Sequence, residues 1–106
     1  MFRWTGNDEA AATIAGFLTA NAVAHAGPGL LHDRRCLGLR LAITEKAELL
    51  GDVSDPLPEF KDFDRAVAGE RGRDLWRVGL LGGELSWFLV KSGGKTVRAR
   101  LAPEPV

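Results

Sequence analysis

The chain of 106 residues is predicted to fold as a single domain, 1–106, because a chain of this length buries roughly 65% of its unfolded surface in one core. Its apolar share of 45% and charged share of 26% are those of a globular protein and exclude an intrinsically disordered chain. Lysine plus arginine equals aspartate plus glutamate at 14 each, so the net charge gives no general attraction to nucleic acid or to a membrane surface.

The N-terminal part is predicted to form one helix. Asn7 is a typical N-cap, and Asp8 and Glu9 suit the positive end of the helix dipole in the first turn. Apolar residues then recur at helical spacing, at Ala11, Ile14, Leu18 and Ala22. The helix should run from about Asp8 to Ala24 and end before Gly27-Pro28-Gly29.

The middle of the chain contains the clearest single-strand pattern. Leucine and isoleucine alternate with smaller or polar residues from Leu37 to Ile43, which predicts a strand that pairs with the sheet and buries its leucine side. The next segment has two interpretations. Thr44 caps a short helix that ends at Leu50, or Glu45-Lys46 turns the chain into a second strand, Ala47 to Val53.

Helical spacing returns at Phe60, Phe63 and Val67 and predicts a second helix from about Glu59 to Ala68. After it, three strands are predicted between Asp74 and Leu101. Their sequences are DLWRVGLL, ELSWFLVK and TVRARL, and they are separated by Gly82-Gly83 and by a Ser-Gly-Gly loop. Gly-Gly between two apolar runs is a strong hairpin signal, because glycine accepts the positive φ of the primed turns.

The register of these strands decides which side chains share a face. The Gly-Gly hairpin places Trp76, Val78 and Leu80 with Trp87 on one side. A two-residue second loop would bury Arg98 and Arg100, which is expensive. A three-residue loop, residues 92–94, with one glycine in the left-handed region instead sends Val97, Ala99 and Leu101 to the Trp87 side. The predicted fold class is therefore α+β, with an antiparallel sheet of four to five strands that ends in a three-stranded meander and is packed by two helices.

This register also predicts a candidate partner-binding site. Phe88 should lie between Arg77 and Arg98, with Ser86 and Arg100 a step further along. An aromatic ring flanked by guanidinium groups can bind an anionic, planar or acidic partner. The alternative is an ordinary sheet surface on which the arginine stems shield Phe88.

The sequence indicates no catalytic site, no metal and no cofactor. It contains no P-loop, no dinucleotide-binding glycine pattern, no G-x-S-x-G and no paired-histidine motif. His25, His32 and Cys36 are spaced by seven and four residues, which lacks the tight ligand pairs of zinc sites. The single cysteine excludes an internal disulfide, and with an N-terminus unlike a signal peptide it predicts a cytoplasmic protein. No apolar run approaches the roughly 20 residues that span a bilayer.

These features favour a non-catalytic protein-interaction domain that recognises a protein partner, or a second copy of itself, through a sheet face or edge. Small bacterial adaptors, inhibitors and immunity-type proteins share this size and architecture. As an alternative, a helix followed by three antiparallel strands, with DLWRVGLL as a strand, resembles the C-terminal half of RelE/ParE-type toxins over less than half of the chain. That resemblance implies a small nucleic-acid-binding or ribonuclease protein that uses the C-terminal arginines, although toxins of this type are usually basic.

Overall fold

The computed structural model describes residues 6–33, 38–56, 60, 62–70, 73–91 and 93–103, with residues 25–33 described by their backbone alone. Within these residues, three helices and four strands follow one another: α1 (Asp8–Asp33), β1 (Gly38–Ile43), β2 (Leu49–Asp55), α2 (Phe63–Val67), α3 (Asp74–Leu80), β3 (Glu84–Leu89) and β4 (Lys95–Leu101). The strands form one antiparallel sheet in the order β1-β2-β4-β3. The predicted α+β class with an antiparallel sheet is confirmed.

Helix α1 begins where predicted and ends later. The Asn7 side-chain carbonyl accepts a hydrogen bond from the Ala10 N–H at 3.0 Å, which satisfies one of the free donors of the first turn. The helix then continues to Asp33 rather than Ala24, so the predicted stop at Gly27-Pro28-Gly29 is wrong. Proline removes one helical N–H and glycine weakens a helix locally. Neither effect compels a helix to end when the flanking turns continue.

The segment after Thr44 is a turn followed by a strand, and the short-helix interpretation is wrong. Thr44 N–H donates to the Glu48 carbonyl at 2.9 Å and Ala47 N–H donates to the Thr44 carbonyl at 2.9 Å. Ala47 takes the left-handed φ of 62° that a glycine or asparagine would supply more easily. The turn therefore forms without its usual residues and joins β1 to β2 as a hairpin.

Helix α2 exists but is shorter than predicted, beginning at Phe63 instead of Glu59. Phe60 lies before it and packs into the core, where its ring meets that of Phe63 edge-on with 5.3 Å between the centroids. The apolar spacing of Phe60 and Phe63 therefore reflects two neighbours in the core and not a shared helix.

The largest correction concerns Asp74–Leu80, which is helix α3 and not the first strand of a meander. Leu75 and Val78 are buried three residues apart on one side of this helix, while Trp76 and Leu80 are exposed. A short apolar run fits both a helical and a strand period, and tertiary packing selects the helix here. As far as the chain is described, the sheet therefore has four strands and is packed by three helices instead of two. The resemblance to RelE/ParE-type toxins loses the strand on which it depended.

The two glycines after α3 form a helix C-terminus and not a hairpin turn. Gly83 N–H donates to the Val78 carbonyl and Gly82 N–H donates to the Gly79 carbonyl, at 3.0 and 3.1 Å. Gly82 has a φ of 90°. Together these are the two bonds and the left-handed residue of a Schellman motif.

Replacing Gly82 with alanine should therefore lower the free energy of unfolding by about 1–2 kcal/mol, because a Cβ is strained at a left-handed φ. The matched control is Gly79→Ala in α3, where an added Cβ meets no atom within 4 Å. That variant should raise the free energy of unfolding by about 0.5–1 kcal/mol, since alanine favours helix. Urea unfolding of both variants checks the pair, and equal effects of the same sign would argue against a helix that ends at Gly82.

The hairpin of β3 and β4 is confirmed, together with its faces. Trp87 lies opposite Val97 and Leu85 opposite Ala99, so both arginines of β4 stay out of the core. Val90 N–H donates to the Gly94 carbonyl at 3.0 Å, and Gly93 has a φ of 98°. The connection thus has the predicted length of three residues and contains a left-handed glycine. It spans 91–93 instead of 92–94, which shifts the pairing of β3 with β4 by two residues. A two-residue shift preserves the face of every side chain.

The core lies between the helices and one face of the sheet. It is built from the inward side chains of α1, β2, β4 and α3 with Phe60 and Ala66: Ile14, Leu18, Ala22, Leu49, Val53, Val97, Ala99, Leu101, Leu75 and Val78. Helix α1 makes its main sheet contact with β2, and α3 packs on α1 and β3. Strand β1 is the outer strand on the far side of β2, and its leucine side is exposed instead of buried as predicted.

Candidate functional site

Four of the five predicted partner-binding residues lie together on the sheet face that is turned away from the helices. These residues, which we call the arginine face, are Ser86, Phe88, Arg98 and Arg100. Arg77 is not among them, because it belongs to α3 and its guanidinium lies 5.6 Å from the ring centroid of Phe17. The predicted arrangement of Phe88 between two guanidinium groups is therefore wrong for Arg77.

Arg98 is held by two neighbours. Its Nε and Nη2 donate to the two carboxylate oxygens of Asp52 at 2.8 and 2.9 Å, in a two-pronged pair that bridges β4 and β2. Its Cζ lies 4.9 Å from the ring centroid of Phe88. The hydrogen bonds with Asp52 raise the pKa of Arg98 above its usual range. Arg98 is thus a fixed cation whose donors are partly used within the chain.

The charges around the arginine face are balanced. Arg100 lies opposite Glu84 on β3, and its Nε is 4.0 Å from Glu48 Oε2. A shallow cavity of about 150 Å³ opens beside them and is lined by Glu84, Leu85, Ser86, Arg98 and Arg100. Around this face three arginines are balanced by three carboxylates. The arginines are Arg40, Arg98 and Arg100, and the carboxylates are Glu48, Asp52 and Glu84. Such a surface does not concentrate positive charge for a polyanion.

A second surface, which the sequence did not predict, lies on strand β1. We call Leu39, Leu41 and Ile43 the β1 stripe. Their side chains point to the helix side of the sheet, opposite Val53, Gly51 and Leu49 in register. They are nevertheless 55%, 43% and 43% exposed. Leu41 lies at the edge of the part of the sheet that α1 covers. Its Cδ2 is 3.7 Å, and Leu18 Cδ1 of α1 is 3.8 Å, from the position that a Cβ on Gly51 would occupy.

The backbone of β1 is also available at the same residues. Thr44 and Glu48 form a hydrogen-bonded pair at 2.9 Å, and such pairs recur at every second residue of an antiparallel ladder. Ala42 and Arg40 are therefore bonded to Leu50 and Asp52 in the same way. The residues of the β1 stripe direct their N–H and C=O groups away from β2. Within the described part of the chain, β1 has no strand on that side.

A buried ion pair was missed by sequence reasoning. Lys95 Nζ lies 2.9 Å from Asp55 Oδ1, both side chains are 1% exposed, and Nζ is 5.6 Å from the ring centroid of Phe60. The alternation of side chains along β2 and β4 could have predicted this pair. Lys95 has the same phase as Val97, and Asp55 has the same phase as Val53, so both point inward.

The described residues contain neither a cluster of metal ligands nor a helix that could span a membrane. No three histidine, cysteine, aspartate or glutamate side chains among them lie close enough to hold a metal ion. His25, His32 and Cys36, considered as ligands above, lie outside the described side chains. None of the helices, as far as the structure describes them, combines the length and apolar character needed to cross a bilayer.

Comparison with known proteins gives no assignment. No protein-family model matches the sequence, and no curated protein is significantly similar to it. Two surfaces are therefore the candidates for a binding site, the arginine face and the β1 stripe.

Proposed function

We propose that this chain is a non-catalytic protein-interaction domain that binds an extended strand of a protein partner along β1. The observation that carries the proposal is that the β1 stripe exposes aliphatic side chains and, at the same three residues, directs its backbone groups to a side where the described chain has no strand. An added strand would satisfy the backbone groups by hydrogen bonding and would cover the side chains.

The chemistry of β1 supports a binding edge. Proteins protect outer strands with inward-pointing charges, proline or bulges, since an open edge pairs with other chains. Strand β1 carries none of these on its helix side. Its one charged residue, Arg40, faces the opposite side of the sheet, next to Asp52. Apolar residues that extend a core to the surface are typical of a surface that a partner covers.

The arginine face supports a binding role less well. Arg98 donates two hydrogen bonds to Asp52, so a partner carboxylate or phosphate would meet a guanidinium whose charge is already paired within the chain. Arg100 is also flanked by carboxylates. A protein ligand could still contact Ser86 and Phe88 there, but the balanced charges do not favour the nucleic-acid alternative.

The proposal is tested by partner capture with a matched pair of variants. The double variant Leu39→Lys/Leu41→Lys should remain folded and lose the captured protein, because lysine places charge where the added strand would bury apolar side chains. Arg40→Gln, on the other side of the same strand, should capture it normally. In the complex, hydrogen exchange should slow at the amides of the β1 stripe.

The opposite pattern would overturn the proposal. If Leu39→Lys/Leu41→Lys captures the same proteins as the wild type while Arg100→Glu does not, binding occurs at the arginine face. Circular dichroism and thermal unfolding of each variant establish that any loss of capture is not a loss of folding.

A further inference from the structure

We infer that the strand which pairs with β1 is β1 of a second copy of this chain, antiparallel, with the two Leu41 residues facing each other on a two-fold axis. This inference rests on the proposed function, since it names the occupant of the same edge. The two sheets then join into one continuous sheet of eight strands, and each protomer contributes its β1 stripe to one shared apolar cluster.

The backbone selects this register. The outward N–H and C=O groups of β1 belong to Leu39, Leu41 and Ile43, so only these residues can form hydrogen-bonded pairs with a second strand. With Leu41 opposite Leu41 of the partner subunit, Leu39 of each copy faces Ile43 of the other. All three outward residues of each strand are then used, which gives roughly six backbone hydrogen bonds.

The side chains select the same register. On the helix side, leucine meets leucine and leucine meets isoleucine, with no charge among them. On the other side, each Arg40 lies opposite Ala42 of the partner subunit. A shift that centres the axis on Arg40 would set two guanidinium groups directly opposite each other, which is destabilising. A shift that centres it on Ala42 leaves both Leu39 residues without an apolar cross-strand neighbour.

Pairing of two β1 strands also closes the assembly. An isologous contact uses the same edge on both copies, so no β1 edge is left for a third copy and the assembly ends at a dimer. The other outer strand, β3, is a poorer edge for this purpose, because Leu85 and Trp87 pack against the core instead of standing free. A contact between β1 and β3 of another copy would be head-to-tail and would give a ring or an open filament instead of a dimer.

Sedimentation velocity over a concentration series from about 1 µM to about 1 mM tests the inference. The wild type should shift from monomer to dimer without larger species. Leu41→Lys should raise the dissociation constant of the dimer roughly 100-fold or more, because it places two ammonium groups opposite each other on the two-fold axis. Arg40→Gln is the control, with an expected change of less than about threefold, since Arg40 points to the other face.

Cysteine cross-linking tests the register. In a Cys36→Ser background, Leu41→Cys should form a disulfide-linked dimer on mild oxidation, because Cα atoms of a bonded pair are about 5.5 Å apart and disulfides span that distance. Ile43→Cys alone should not cross-link, since its two copies would be about 13 Å apart along the strands. Mixed Leu39→Cys and Ile43→Cys chains should form the heterologous cross-link.

The outcomes separate this inference from the proposed function. A wild type that stays monomeric to about 1 mM overturns the dimer, as does cross-linking of Ile43→Cys in preference to Leu41→Cys. If that monomer still captures a different protein in a manner that Leu39→Lys/Leu41→Lys abolishes, the β1 edge remains a binding edge with another occupant. If neither dimerisation nor capture responds to substitutions in the β1 stripe, both proposals fail.

Discussion

Replacing Lys95 with methionine should lower the free energy of unfolding by about 3–5 kcal/mol. The methionine fills most of the same space but leaves the Asp55 carboxylate buried without the Lys95 ammonium, which lies 2.9 Å away in the native protein. An ionised group in the interior that loses its counter-charge is far more costly than a lost surface ion pair. Urea unfolding followed by tryptophan fluorescence measures the effect.

Two controls separate charge from packing in this prediction. The double variant Lys95→Met/Asp55→Leu should recover most of the lost stability, because a buried pair can often be exchanged for apolar residues at little net change. Arg65→Met breaks the Arg65–Glu70 pair, whose side chains are more than half exposed, and should change stability by less than about 1 kcal/mol. A loss below about 1 kcal/mol for Lys95→Met would show that solvent reaches the pair.

Truncating Leu18 to alanine should lower the free energy of unfolding by about 2–5 kcal/mol, through lost burial and the cavity that remains. Leu18 is 1% exposed on α1 and its Cδ1 approaches Gly51 of β2, at the main contact between helix and sheet. The same urea titration checks this prediction. The denaturant dependence should stay unchanged, because the variant exposes nearly the same surface on unfolding.

Val23 on the same helix supplies the matched control, since its side chain is half exposed. Val23→Ala should change the free energy of unfolding by less than about 0.5 kcal/mol, because little burial is lost and alanine has the higher helix propensity. Equal losses in the two variants would contradict the observed orientation of α1 on the sheet.

Strict alternation was the most informative feature of the sequence. Val97, Ala99 and Leu101 point inward as predicted, and Arg98 and Arg100 point to the other face. The physical reason is that buried arginine is expensive enough to exclude the competing register. The residue types of a turn were a weaker guide to the hairpin of β1 and β2, because Ala47 adopts the left-handed conformation that glycine usually supplies.

The error at Asp74–Leu80 arose because two structures fit the same residues. Leu75 and Val78 satisfy a helix, while Trp76, Val78 and Leu80 satisfy a strand. Gly82-Gly83 supports either, since a Schellman motif and a primed hairpin turn both need positive φ. The misplacement of Arg77 in the predicted site followed directly from that error.

The exposure of the β1 stripe was predicted wrongly for a different reason. Alternation identifies which residues share a face of a strand, but it does not identify how far a covering helix extends across the sheet. Leu41 and Val53 have equivalent patterns, yet α1 lies over β2 and leaves β1 at its margin. Coverage depends on how the elements pack, which no local pattern of residues records.

Strand β4 is the last strand of the described chain and occupies an interior position in the sheet, between β2 and β3. Pairing of β2 with β4 joins residues at least 40 positions apart, including the Lys95–Asp55 and Arg98–Asp52 pairs. During synthesis, the earlier segments therefore emerge from the ribosome before their central neighbour exists, and the sheet cannot close. The sheet should accordingly close only after β4 has emerged, and until then the β1–β2 hairpin lacks the second neighbour of β2.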